Sequence, residues 1–323
     1  MKLKGESIYR MNLLNIINIK FEDFNSGTHY ALFNGSQIKY LIDKNDKNFY
    51  KNLLVNQNSY SFKHKLFKII IKCMPVNLIR FLPNVKCCSI EINENLKTNI
   101  KENLNKANKI SNYILGTKGP HQKIVIQIIT ESGEKIYIKA GNENVKELLL
   151  MESYVYGYLK GLGCIFSTPN LLFTEINEDI SLNALDEVVG EEAPLEFNND
   201  IFTLYNDISK INLNNLRLEN LEIEFEFSHG DFAPWNIKRN KGKYIIYDWE
   251  YAGIRFRGYD IIHYVTQVEN LIRKSSLELS IRKGVQVAKQ YVPYLVNFED
   301  QYLRNLYIVE RNKTYMVNDN EDK

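Results

Sequence analysis

The sequence predicts an α+β protein: an antiparallel sheet with a packed helix, followed by a mostly helical half. Three observations carry this. Between positions 112 and 139, three β-rich runs are joined by glycine-bearing turns. An apolar stripe at helical spacing follows at 145–159. Further helical runs close the chain, at Leu271–Ala288 and Phe298–Val309. With 323 residues, 44% hydrophobic and 25% charged, there is apolar material for one or two globular domains.

The three runs are Asn112–Gly119, Lys123–Thr130 and Lys135–Lys139, and they read as an antiparallel meander. Gly116 and Gly119 lie in the first connection, where a loop without β-carbons can approach phosphates closely. Glycine is ordinary at turns, and Pro120 is unusual in such a loop. Lys139 closes the third run, where a lysine more often simply points at solvent. In the helix that follows, Val145, Leu148, Leu149, Glu152, Val155, Tyr156 and Leu159 share one face. A carboxylate facing a core calls for a cation, and Lys139 is the candidate partner of Glu152. Kinases use such a strand lysine and helix glutamate to position the contact with the α/β-phosphates. Glu147 lies off the stripe and reads as solvated. Strand-like segments at 171–174 and 180–182 then lead to Glu187-Val-Val-Gly190.

Downstream, the chain reads His229-Gly230-Asp231-Phe-Ala-Pro-Trp-Asn236 and then Asp248-Trp249-Glu250. Two acids and an amide fall at the spacing that phosphoryl transfer from Mg-ATP uses. One Asp accepts the proton of a substrate hydroxyl, an Asn five residues on and an Asp after the next strand carry the metal ions. Between them, Asn240-Lys-Gly242 favours a hairpin turn, and Lys243–Tyr247 is an apolar β-type run that delivers Asp248 to a strand end. Each piece alone has a bland reading, since His-Gly-Asp is a common tripeptide and an Asp before an aromatic often caps a helix. The ordered set with strand residues between is far more specific.

These residues resemble the aminoglycoside phosphotransferase and choline kinase-like family, over Ser111 to about Tyr264, roughly half the chain. The resemblance implies a two-lobed protein-kinase-like fold, here with an extra N-terminal α+β region. It implies that Asp231 is the catalytic base, that His229 orients its loop, and that Asn236 and Asp248 hold Mg²⁺. Glu-x-x-Gly after a strand is similar to the family's hinge, which places adenine contacts of ATP on the backbone between Asp186 and Val189, including Glu187. Gly258-Tyr-Asp260 resembles the family's structural Asp, expected to anchor a helix and the catalytic loop. Only 39 positions separate Gly190 from His229, with one helix expected at Asn199–Ile211 and a loop at 216–221. Full-length aminoglycoside kinases carry more helical material there, so an aminoglycoside acceptor does not follow from the resemblance.

The expected organisation is an N-terminal region at 1–108, a nucleotide-binding lobe at 109–190 and a catalytic and substrate-binding lobe at 191–323. Charge supports the first boundary: residues 1–110 carry 18 Lys and Arg against 8 Asp and Glu, or +10, and the remainder is −8, for the overall +2. Residues 1–108 are rich in Asn, Lys and Ile without recognisable chemistry. Phe21–Phe24 and Tyr30–Phe33 suggest a small β unit, and Asn93–Ser111 reads as a helix. Phe62–Met74 is basic and apolar without an acid. A core helix with a solvated lysine edge is favoured there over peripheral contact with an anionic membrane.

No run of eighteen apolar residues is present, and the start lacks a secretory pattern, so no transmembrane segment and a cytoplasmic protein are expected. The four cysteines (73, 87, 88 and 164) fit neither a metal nor a disulfide framework. The five histidines (29, 64, 121, 229 and 263) show no zinc spacing, and only His229 has an expected role; the others read as surface or packing residues. No basic stripe accompanies the motif residues, which argues against nucleic acid. The acidic surplus after position 110 would suit a cationic acceptor such as an amino sugar or choline, although dispersed charge more often serves solubility.

The leading expectation is an ATP- and Mg-dependent phosphotransferase acting on a hydroxyl of a small molecule, whether sugar, amino sugar or amino alcohol. One alternative is a catalytically silent nucleotide-binding regulatory protein, disfavoured because every motif position is filled. Another is a kinase of a protein substrate, disfavoured by His-Gly-Asp in place of His-Arg-Asp and by the lack of an activation segment after Asp248. The tail 318–323 reads as disordered.

Overall fold

The computed structural model describes residues 10–14, 16–46, 82, 84–104, 108–116, 119, 121–177, 180–211 and 223–315. The basic apolar segment at 62–74, the loop at 216–221 and the tail at 318–323 lie outside the described residues. The chain divides into two compact units, one of residues 1–149 and 171–187, the other of residues 150–170 and 188–323.

The first unit is built on one ten-stranded sheet. Its strands are β1 (Arg10–Leu13), β2 (Ile17–Glu22), β3 (His29–Asn34), β4 (Gln37–Asp43), β5 (Val85–Ile92), β6 (Asn108–Leu115), β7 (Ile124–Thr130), β8 (Lys135–Gly141), β10 (Leu171–Ile176) and β11 (Ser181–Asp186). They lie in the order β1-β2-β5-β3-β4-β6-β7-β8-β11-β10, and all their pairings are antiparallel. The predicted meander is β6-β7-β8. β-Branched runs such as Ile-Val-Ile-Gln-Ile-Ile-Thr in β7 suit a pleated, buried surface. Ile19, Leu41, Ile126, Ile138 and Leu182 meet Leu96 and Ile100 of helix α1 (Glu94–Leu104) in one apolar cluster, each fully buried chain stabilising the unit by about 1.5–3 kcal/mol.

A polar row crosses this sheet. Asn112, Gln127 and Tyr137 stand opposite one another in register. Asn112 Nδ2 donates to Gln127 Oε1 (2.9 Å) and to Asp46 Oδ2 (2.8 Å), and Gln127 Nε2 donates to Tyr137 Oη (2.6 Å). Such a satisfied row penalises any slip of register, because slippage would strand these groups in the core.

Two sequence expectations are corrected here. The helix expected over Asn93–Ser111 ends at Leu104, and the chain enters the sheet again as β6 from Asn108. The reason is tertiary: β6 finds partners on both sides, β4 and β7, which override a local helical reading. The sheet therefore runs across position 108, where charge had suggested a boundary. Among the described residues Cys87, Cys88 and Cys164 are free thiols, and burial pushes Cys88 up to about 12.

The second unit is mostly helical with small sheets. It contains β9 (Phe166–Ser167), β12 (Glu191–Glu192), β14 (Ile237–Asn240) and β15 (Lys243–Ile246) in the order β12-β14-β15-β9, and the pair β13 (Phe225–Ser228) and β16 (Gly253–Phe256). Its helices are α3 (Asn199–Ile208), α4 (Tyr259–Gln267), α5 (Leu277–Tyr291) and α6 (Asp300–Tyr315). Helix α2 (Lys146–Leu159) begins in the first unit and continues in the second. The helix expected at Leu271–Ala288 starts later, at Leu277. Residues Val268–Ile272 form a π-type turn, Lys274 stands at φ 62°, and Ser276 caps the new helix by accepting from Leu279 N. Likewise α6 starts at Asp300 rather than Phe298, and α3 ends at Ile208 rather than Ile211. Among the described residues no helix is long and apolar enough to cross a membrane.

Candidate active site

The hairpin β14–β15 organises the centre of the second unit. Its turn places Lys241 at φ 48° and Gly242 at φ 82°, the pair of left-handed residues that a tight two-residue hairpin needs. Ile237 pairs with Ile246, and Tyr247 N donates to Asn236 O (3.1 Å). Asn236 and Asp248 therefore emerge from the same end of the hairpin.

Asp231 sits on the loop before it. Asn236 Nδ2 donates both to Asp231 O (2.8 Å) and to Asp231 Oδ2 (2.9 Å). This fixes the amide with its nitrogen on Asp231 and its carbonyl oxygen on the other side. The Asp231 side chain is 18% exposed, enough to meet a reactant while staying held.

The loop is set by Asp260, on the first turn of α4. Its Oδ1 accepts from Ser228 Oγ (2.7 Å) and Gly230 N (3.1 Å), and its Oδ2 from His229 N (2.7 Å). The structural role expected of Asp260 is met. Gly230 is required at its place: φ is 85°, and an added Cβ would lie 2.0 Å from Tyr251 O. His229 is fully buried. Its Nδ1 accepts from Asp231 N (3.3 Å), so Nε2 carries the proton and donates to Tyr247 O (3.0 Å). Burial holds its pKa below the usual value against the carboxylates of Asp260, Asp231 and Asp248, and the ring thus ties the loop to the hairpin as a neutral group.

Asp248 adopts the left-handed region, φ 70° and ψ 51°, a conformation uncommon outside glycine and enriched for Asp. Its N–H donates to Tyr156 Oη (3.2 Å), and that hydroxyl donates to Glu152 Oε1 (3.1 Å). Glu152 is fully buried, as the stripe predicted, and Glu147 is exposed. Burial, then the Glu152 charge, raises the Tyr156 phenol well above its ordinary value, keeping it a donor. Tyr251 is raised by burial and then by both Asp231 and Asp248, so the two carboxylates share one neighbourhood.

In the first unit, Lys139 lies mid-sheet, opposite Val125 and Asn183. Asn183 Nδ2 donates to Leu149 O (2.9 Å). Gly116 N donates to Lys123 O (2.9 Å), and a Cβ at Gly116 would stand 2.8 Å from that oxygen. This glycine serves a close backbone approach; Gly119 is exposed. Glu187 pairs with Lys135 (2.6 Å), and Val189 is 54% exposed. The division between units falls between Glu187 and Val188, in the segment read as a hinge. Lys139 belongs to the first unit and Glu152 to the second.

Three contributors were missed in the sequence: Ser228, the Tyr156 hydroxyl and His263. His263 Nε2 lies 2.9 Å from Asp231 Oδ1. Its position three residues after Asp260, on the same helical face, was the available signal.

No family model matches the chain. Among curated proteins it is similar to a probable ethanolamine kinase B of Dictyostelium discoideum, with 28% identity over 108 residues. That stretch is 29% of this chain and 23% of the relative, so the match spans about a quarter of the relative's length. Among solved structures it is similar to an aminoglycoside-3'-phosphotransferase of type VIII (TM-score 0.43, 12% identity), covering 62% of this chain and 93% of the other. It is also similar to a putative fructosamine-3-kinase from Haemophilus somnus 129PT (TM-score 0.39, 11% identity), covering 68% and 97%. A third is the amicoumacin kinase hAmiN with AMP-PNP, Ca²⁺ and Ami (TM-score 0.36, 12% identity), covering 62% and 88%. By name, the proteins it resembles are kinases and phosphotransferases. At these TM-scores the likeness assigns no residue.

Proposed function

We propose that this protein is an ATP- and Mg-dependent phosphotransferase that moves the terminal phosphoryl group to a hydroxyl of a small molecule. The observation that carries the reading is the Asp231–Asn236 contact at 2.9 Å at the end of the hairpin that also bears Asp248. Asp231 aligns the acceptor hydroxyl and takes its proton as the oxygen attacks. One Asp231 oxygen is already tied to Asn236, which limits the carboxylate's rotation and helps hold the attacking group in line.

Asn236 and Asp248 present an amide oxygen and a carboxylate, hard donors that suit Mg²⁺ with phosphate oxygens and waters completing its shell. Among the described residues no group of three His, Cys, Asp or Glu is placed to hold a metal ion by itself, so the phosphates would have to supply part of the shell. These two residues would hold it, and when bound it neutralises charge on the triphosphate. Lys139 and the Gly116–Gly119 loop serve the phosphates, and backbone groups between Asp186 and Val189 serve the base. His229 keeps the loop in place, and Glu152 supports Asp248 through Tyr156.

Sugars, amino sugars and amino alcohols are the acceptor classes to test. Mg-dependent ATP consumption measured against such a panel, with a protein acceptor as control, should show turnover with a small hydroxyl compound. Asp231→Asn should lower kcat at least about 100-fold, in line with loss of a general base, while retaining ATP binding. Turnover at the unmodified rate in that variant would remove Asp231 from the reaction.

A further inference from the structure

We infer that His263 is a positioning residue for Asp231, the second of two clamps that helix α4 places on the catalytic loop. The inference rests on the phosphotransferase reading and adds to it a residue outside the His-Gly-Asp, Asn and Asp set. His263 Nε2 stands 2.9 Å from Asp231 Oδ1, while Asn236 Nδ2 stands 2.9 Å from Oδ2. An ionised carboxylate only accepts, so the imidazole carries a proton on Nε2 and donates it. Each carboxylate oxygen then has its own donor, and the plane of the group is fixed rather than one end of it.

The imidazole is itself immobilised. It is fully buried, its Nδ1 bonds Tyr307 Oη of α6 (3.1 Å), and its ring stacks on Tyr259 at 5.7 Å and 16°. Burial raises the Tyr307 phenol well above its ordinary range, so that hydroxyl stays protonated. Both ring nitrogens are thus paired, as a buried imidazole requires, and the partner of one of them is Asp231.

Helical geometry explains why one helix suffices. Asp260 and His263 are three residues apart, so they share a face. Asp260 holds residues 228–230 by three contacts of 2.7–3.1 Å, from the Ser228 hydroxyl and from the backbone N–H groups of His229 and Gly230. His263 holds the carboxylate one residue later. The backbone clamp sets where Asp231 begins, and the imidazole sets where its oxygens end. Misplacing a reacting group by even about 1 Å can cost on the order of 100-fold in rate.

The test uses the full chain with Mg-ATP and ethanolamine, the alcohol suggested by the curated relative, together with a hydrolysis-only arm in which water is the acceptor. His263→Ala should lower kcat about 10- to 100-fold with KM for ATP unchanged within twofold. His263→Gln, whose amide can donate to Asp231, should recover most of the loss. Tyr307→Phe, which keeps the ring and removes only the Nδ1 partner, should lower kcat a few-fold. In ¹⁵N spectra of the histidine side chains, His263 should show a protonated Nε2 whose resonance moves in Asp231→Asn. Equal rates for wild type, Ala and Gln variants, or an Nε2 resonance indifferent to Asp231→Asn, would overturn the inference. If Asp231→Asn abolishes turnover while the His263 variants do not, only the inference fails. If Asp231→Asn leaves turnover intact, Asp231 is not the base and the inference falls with that role, whereas no turnover by the wild type with any acceptor would sink the phosphotransferase reading. The spectrum decides the contact even if neither acceptor is turned over.

Discussion

Substituting Asp260 perturbs the loop that carries the proposed base Asp231 without altering Asp231 itself, and the structure allows the cost to be worked out for two variants. The carboxylate is 1% exposed and accepts from Ser228 Oγ, His229 N and Gly230 N. Gly230 N has a second acceptor, Ser228 Oγ, at 3.1 Å. In Asp260→Asn, the amide can turn its oxygen to His229 N and donate from its nitrogen to Ser228 Oγ. Only the carboxylate's charge and one shared contact are lost, about 1.5–3 kcal/mol. In Asp260→Ala, His229 N and the Ser228 hydroxyl lose their acceptor in a dry interior, and the cost rises to about 3–5 kcal/mol. At roughly 2–4 °C per kcal/mol for units of this size, Tm should fall by about 3–12 °C for Asn and by about 6–20 °C for Ala. Thermal unfolding by circular dichroism gives both numbers, and kcat should decline in the same order with KM for ATP less affected. An Ala variant that unfolds within about 2 °C of wild type, or that retains full kcat, would show that Asp260 does not hold the loop.

Glu226 on β13 is a second target: burial raises its pKa from 4.5 to about 7, against bonds from Tyr205 Oη and Gly258 N. An acid that holds its proton more tightly when folded stabilises below its unfolded pKa and loses that contribution as pH rises through the folded one, here from about pH 4.5 to about 7. The loss amounts to about 3 kcal/mol at 1.36 kcal/mol per unit. Glu226→Gln, which mimics the protonated acid, should flatten the fall of stability over that window in urea titrations at stepped pH; an unchanged slope would refute the assignment. For Tyr156→Phe, Glu152 and Asp248 N each lose a contact, costing about 1–3 kcal/mol, and the Mg²⁺ concentration for half-maximal activity should rise several-fold. Identical Mg²⁺ titrations in the two proteins would separate Tyr156 from the metal site.

What could be read from the sequence was mostly short in range. The hairpin between Asn236 and Asp248 was legible because its turn residues, strand residues and both ends fall within thirteen positions. Glu152 was legible as buried because helical periodicity alone exposes a carboxylate on an apolar stripe. His263 was passed over because its partner lies 32 positions away, and a lone histidine on an apolar helix face is ordinarily packing. The N-terminal hundred residues failed for a related reason. β5 lies between β2 and β3 in the sheet, so the pairings that define these strands join segments as much as 75 positions apart, such as Ile17 with Ile92. Local composition, dominated by Asn and Lys, carried little of that. The same limit turned the stretch before Ser111 into a helix that was too long.

The arrangement also accounts for the two backbone positions in the centre that resist ordinary residues. Gly230 stands at φ 85° and Asp248 at φ 70°, the first next to the proposed base Asp231 and the second at a proposed cation ligand. Left-handed residues cost about 1–2 kcal/mol when they carry a side chain, and such strain persists only where the surroundings over-determine it. At Gly230 the cost is avoided by removing the side chain, since Tyr251 O occupies the place of a Cβ. At Asp248, the proposed cation ligand, a side chain is present, and the strain is offset by tying its N–H to Tyr156 and through it to buried Glu152. Glycine at 248 would relax the backbone and forfeit the carboxylate. The chain therefore spends a buried tyrosine–glutamate pair where, for the loop, a glycine was enough.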